Sequence, residues 1–98
     1  MSTIVDFSIV PMDKGESISP YVARAVAIIK KCGLSYRFGP MGTSIEGDWP
    51  AVMGVVEQCF EALKKDCNRV YMTIKVDYRK GDGGRLTRKI ASVEEKIG

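Results

Sequence analysis

The sequence predicts an α+β domain: a four-stranded antiparallel sheet laid down in the order β-α-β-β-α-β, followed by a C-terminal helix. Three observations carry this. Residues 3–11 and 69–79 alternate apolar and polar side chains with the period of two that marks a half-buried strand. Residues 22–29 and 52–63 repeat apolar side chains at helical spacing. Between the two halves, two short alternating segments flank a glycine-rich turn, the pattern of a central hairpin.

Taken in order, "TIVDFSIVP" sets Val5, Phe7 and Ile9 on one face of a first strand, with Ile4, Asp6, Ser8 and Val10 on the other. Pro11 ends it, since proline cannot donate to a ladder. Ser19 suits a helix N-cap and Pro20 the first helical position. Val22, Ala25, Val26 and Ile29 then form one helical face. Lys30 and Lys31 lie where the helix dipole favours cations, and Gly33 suits a left-handed stop. "LSYRFG" alternates again, with Leu34, Tyr36 and Phe38 directed to the core. "TSIEG" is the third strand, with Thr43 and Ile45 opposite Ser44 and Glu46. Asp48 is placed to cap a second helix whose stripe is Val52, Val55, Val56, Cys59, Phe60 and Leu63. "RVYMTIKVDYR" is the fourth strand. "KGDGG" is a flexible turn, and Leu86, Ile90, Val93 and Ile97 recur at helical spacing to the end. This order is the split βαβ, ferredoxin-like pattern.

Ninety-eight residues make one domain, spanning 1–98. The net charge of +3 is mild, and Lys and Arg are interleaved with acids. A nucleic-acid partner is therefore not expected, because its binders concentrate cations on one face. The exception is the cluster from Arg79 to Lys89, which glycines and Asp82 interrupt; it reads as a solvated loop. No apolar run approaches the roughly 20 residues of a membrane span, and no leader pattern is present. There is no histidine, the commonest general base and metal ligand. Cys32, Cys59 and Cys67 form no paired motif and read as reduced thiols of a cytoplasmic protein, Cys59 in the core. No metal site and no catalytic nucleophile–base pair is evident.

Two helices cover one face of a four-stranded sheet, so the other face must be polar or be covered by something else. Here it carries Asp6, Ser8, Val10, Thr73, Lys75 and Asp77, with Ile4 and Tyr71. That mixture predicts an oligomer interface, since the exposed apolar members need cover. In this topology the first and second strands run parallel with the third between them. The end of the first strand, the start of the first helix and the hairpin tip then share one end of the molecule. Ser17, Ser19 and residues 39–43 should meet there, with Glu46 a short way along the third strand. A carboxylate, hydroxyls and free main-chain donors suit a small, planar, nitrogen-rich ligand.

At the level of motifs, "GESISPYVARAV", "GLSYRFGPMGTSIEGDW" and "KIASVEEKIG" together resemble the small thiamine-binding protein family, also called YkoF-like. The resemblance spans nearly the whole chain and is most specific at the Ser-x-Ser lead-in to the first helix and at "MGTSIEG". It implies ferredoxin-like domains that self-associate into dimers or tetramers. It also implies non-enzymatic binding of thiamine or its hydroxymethylpyrimidine part, with no further cofactor. Carried over by motif, the ligand pocket would include Ser17, Ser19, Thr43 and Glu46, with Met41 and Gly42 contributing position and main chain. On residues alone, each has a plainer role: Ser19 as a cap, Thr43 as a β-branched strand residue, Glu46 as an exposed strand carboxylate. Trp49 reads as packing at a helix start, and Lys75 with Asp77 as a solvated or interface pair. Arg85, Arg88 and Lys89 read first as a solvated helix start and second as a phosphate contact. The alternatives to a binding protein are a small effector-binding regulatory module, or an enzyme of thiamine-precursor metabolism with Glu46 as base.

Overall fold

The computed structural model describes residues 2–81 and 83–98. Seven elements follow in chain order: β1 (Ser2–Pro11), α1 (Ser19–Lys31), β2 (Ser35–Phe38), β3 (Thr43–Gly47), α2 (Trp49–Lys64), β4 (Val70–Arg79) and α3 (Arg85–Ile97). The sheet is four-stranded and antiparallel throughout, ordered β2-β3-β1-β4. The predicted α+β, ferredoxin-like order is the observed one. Asp82, which interrupts the basic cluster in the sequence, lies outside the described residues.

The register follows from the alternation. Val5 pairs with Ile45 on one side and Val76 on the other; Phe7 pairs with Thr43 and Ile74. These residues share the face on which α1 and α2 pack. Val5, Ile29, Ile45, Val52, Cys59 and Leu63 are essentially inaccessible there. The Cys59 thiol donates to the Ala25 carbonyl oxygen at 3.5 Å. Burial, helped by the nearby Cys32 thiol, pushes its pKa up to about 11, which makes it an inert packing group.

Helix starts differ from the capping expectation. Ile18, not Ser19, is the residue before the first turn of α1, and its carbonyl accepts from Tyr21 and Val22 N–H at 3.0 and 3.1 Å. Ile18 lines a cavity described below, and Ser19 is already helical. Asp48 does precede α2, but its carboxylate makes no capping bond. Gly33 follows α1 with a left-handed φ of 84°, as expected.

The third helix lies on the other face. Glu46 pairs with Ile4, and Ile4 with Asp77, so all three project away from α1 and α2. The first turn of α3 sits on them: Arg85 and Leu86 are buried, whereas Val93 and Ile97 are exposed. The second face is therefore covered at one end by the chain itself. Among the described residues, no helix is long and apolar enough to cross a membrane.

Candidate functional site

A cavity of about 160 Å³ opens where the end of β1, the start of α1 and the β2–β3 turn converge. This is the end of the molecule that chain order singled out. The turn is held by the Gly39 N–H donating to the Gly42 carbonyl at 2.9 Å. Gly42 lies tight against β1. A Cβ added there would stand 3.1 Å from the Phe7 carbonyl oxygen and 3.2 Å from the Asp6 carboxylate, so a side chain would fit only if the main chain of β1 gave by a few tenths of an ångström. That close approach lets Met41, Gly42 and Thr43 form one wall, opposite Ile18, Val22 and Val26 of α1.

The lining carries no acid, amine or guanidinium; its polar groups are hydroxyls and main chain. Phe38 contributes to it and is 61% exposed. Alternation with Leu34 and Tyr36 assigned Phe38 to the core, but β2 is the sheet edge and α1 does not reach over its end. Ser17 and Ser19 are exposed and flank Ile18; neither lines the cavity. Of the six residues named from the sequence, the structure gathers Met41, Gly42 and Thr43 around the cavity.

Glu46 stands elsewhere. It is on the opposite sheet face from Thr43 and beneath α3, where it is 6% exposed rather than the exposed strand carboxylate of the residue-only expectation. Its carboxylate accepts from the Arg85 N–H at 2.9 Å, the Leu86 N–H at 3.1 Å and the Ser2 hydroxyl. It thus caps α3 from across the sheet, replacing the absent side-chain cap at Gly84. Arg85 is equally committed: its guanidinium donates to the Ser2 and Asp77 carbonyls, both at 2.9 Å, and ion-pairs with Asp77 at 3.1 Å. Lys89 also binds Asp77. Of the three cations expected at a solvated start of α3, Arg85 is buried in a polar network, whereas Arg88 and Lys89 are exposed as expected. Asp77 serves α3 rather than Lys75. Nothing in the sequence marks this network, because Glu46 and Arg85 are far apart in the chain and share no local motif.

Burial works to raise the pKa of Glu46. The hydrogen bonds from Ser2, Leu86 and Arg85, with the Arg85 charge, outweigh it and hold the carboxyl below its ordinary 4.5. Asp77 is lowered as well, chiefly by Lys89 and Arg85. A depressed carboxyl pKa contributes stability above the unfolded-state value and loses it as pH falls through the folded-state value. Thermal melts should therefore be flat from pH 7 to 5, then drop below about pH 4.5, with amides of α3 the first to exchange. A melting temperature unchanged down to pH 3 would contradict this role for the two carboxylates. Among the described residues, no cluster of three Cys, Asp or Glu is placed to hold a metal ion.

Comparison with known proteins places this geometry in context. The family model described as thiamine-binding protein matches residues 5–94. A UPF0045 protein of Mycobacterium bovis is 40% identical over 98 residues, covering 99% of this chain and 96% of that one. A UPF0045 protein of Methanocaldococcus jannaschii is 32% identical over 92 residues, covering 94% and 92%. The crystal structure of a hypothetical protein from the same archaeon superposes with a TM-score of 0.87 at 31% identity, over 96% of this chain and 97% of that one. A candidate thiamine biosynthesis/salvage protein of Thermotoga maritima shares the fold with a TM-score of 0.84 at 22% identity, over 95% and 99%.

Proposed function

The chain belongs to the thiamine-binding protein family, and on that premise we propose that it is a non-catalytic, cytosolic binding protein for thiamine or its hydroxymethylpyrimidine part, working as a homo-oligomer. The cavity at the hairpin tip is the observation that carries the proposal. Its volume of about 160 Å³ lies below the roughly 300 Å³ at which drug-sized ligand sites begin. That suits one aromatic ring better than the whole vitamin. An uncharged lining suits the neutral aminopyrimidine rather than the cationic thiazolium, which would be costly to strip of water without a counter-charge. Phe38 offers an aromatic surface for the ring, and Thr43 with the main chain around Gly42 supplies hydrogen bonds. Ser17 and Ser19, on either side of Ile18, would meet the part of the ligand that projects outward. Glu46 contributes by fixing α3, since three donors already occupy its carboxylate. The lining holds no acid or base to move a proton, which favours binding over turnover.

Calorimetry with thiamine and with hydroxymethylpyrimidine tests the proposal. Binding of the pyrimidine should retain most of the affinity for thiamine, and mass spectrometry should recover the ligand unchanged. No heat and no thermal shift with either compound would overturn the assignment. A new product would overturn its non-catalytic part.

A further inference from the structure

We propose that the groove between the end of β4 and the first turns of α3 is a second binding site, which takes a small molecule through its phosphoryl groups. The groove has a volume of about 570 Å³ and is lined by Arg79, Arg85, Arg88, Lys89, Ser92 and Val93. That volume lies within the range of small-molecule sites, and four of the six lining side chains are cations.

The cations are not equally committed. Arg85 is spent on Ser2 and Asp77, and Lys89 shares the Asp77 carboxylate. Among the described residues, no carboxylate pairs with Arg88, and no hydrogen bond or ion pair engages Arg79. Arg88 is nevertheless held in place. Its guanidinium donates from Nε to the Gly84 carbonyl at 3.3 Å and from Nη2 to the Gly83 carbonyl, so its remaining N–H groups face outward unused. The Ser92 hydroxyl accepts from the Lys96 ammonium at 3.3 Å, which leaves its own proton free to donate and sets a further cation behind it. Arg85 and Lys89 are one helical turn apart, a spacing at which like charges repel, and an anion in the groove relieves that repulsion. Guanidinium forks match the paired oxygens of a phosphoryl group. Two unpaired forks with Lys89 and Ser92 supply more charge and more donors than one carboxylate can use.

The ligand is a separate molecule from the one in the hairpin-tip cavity. Arg79 pairs with Ser2 at the start of β1, whereas the cavity is lined from Phe7 onward. Five residues of strand put roughly 17 Å between the two levels. The two sites also lie on opposite faces, since Arg79 shares its face with Asp77 and α3, and the cavity lies against α1. A substituent on a ring seated in the cavity therefore does not reach the groove of the same protomer, and the inference goes beyond the proposed function. An anion held between Arg79 of β4 and Arg88 and Lys89 of α3 ties the helix to the sheet beyond its buried first turn. Binding then stabilises the docked helix, as any ligand does for the form it prefers.

The test uses the full chain with inorganic pyrophosphate as the probe, at an ionic strength held constant with chloride. Calorimetry should show saturable binding, the melting temperature should rise, and amides of α3 should exchange more slowly. Arg79→Gln removes a side chain that holds nothing in the fold. It and Arg88→Gln should each weaken pyrophosphate binding by about tenfold, the scale of a charged hydrogen bond, with circular dichroism native. Lys30→Gln, on α1, should leave it unchanged, and Arg79→Gln should leave the affinity for hydroxymethylpyrimidine unchanged. No loss from Arg79→Gln, or an equal loss from Lys30→Gln, would overturn the site in favour of diffuse screening. No heat with pyrophosphate would overturn it whether or not the pyrimidine binds; salt-sensitive binding of a single-stranded oligonucleotide in its place would assign the groove to a nucleic acid instead.

Discussion

Replacing Glu46 with alanine is expected to destabilise the protein by about 3 kcal/mol, the scale for emptying a buried charged hydrogen-bond site. For a domain near 100 residues, that corresponds to a fall in melting temperature of roughly 15 °C. Two main-chain donors at the start of α3 and the Ser2 hydroxyl would lose their acceptor. Arg85 would keep its ion pair with Asp77 but lose the nearby Glu46 charge. Hydrogen exchange should report the loss locally, with α3 unprotected before the sheet. Glu46→Gln, which keeps one acceptor oxygen, should cost about half as much. Ligand affinity measured well below both melting temperatures separates two roles. If Glu46 only holds α3, affinity is unchanged. If it touches the ring, Glu46→Gln weakens binding by about 1–3 kcal/mol. A melting temperature within a degree or two of wild type for Glu46→Ala would overturn the structural role.

The second large effect concerns the cavity. Val22 is half-buried on the cavity wall, one turn into α1. Val22→Trp should fill the space with an indole and leave the fold intact, because the volume is already open. Calorimetry should then show affinity for hydroxymethylpyrimidine reduced on the order of 100-fold, about 2.8 kcal/mol. Undiminished heat with a native melting profile would mean that the ligand binds elsewhere.

Much of this architecture is legible in the sequence, for local reasons. The period of two in β1 and β4 and the stripe of α2 each state their own element and face. Glycines and prolines punctuate them. Chain order alone then brings the hairpin tip to the start of α1, which is where the cavity is. What could not be read is set by contacts distant in sequence or by the reach of one element over another. Ser19 has every local property of a cap, yet it lies inside the helix and Ile18 precedes the first turn. Phe38, Ile74 and Val76 alternate like core residues, yet lie where the helices end. Arg85 looks like one cation in a solvated cluster until β3 puts a carboxylate beside its main-chain N–H. A run of basic residues carries no mark of which member will be buried.

The central place of β1 in the sheet also governs the order of assembly. Its two neighbours, β3 and β4, both follow it in the chain, and the second closes only when Ser2 meets Arg79. A ribosome therefore makes β1 well before β4, the strand that completes its pairing. Pairing across almost the entire chain is slow, since the closing entropy must be met before the contacts form. Until then β1 is an open apolar strand, the kind of segment that aggregates or recruits a chaperone. Nascent chains arrested before Val70 should be far less soluble than chains that include β4 and α3.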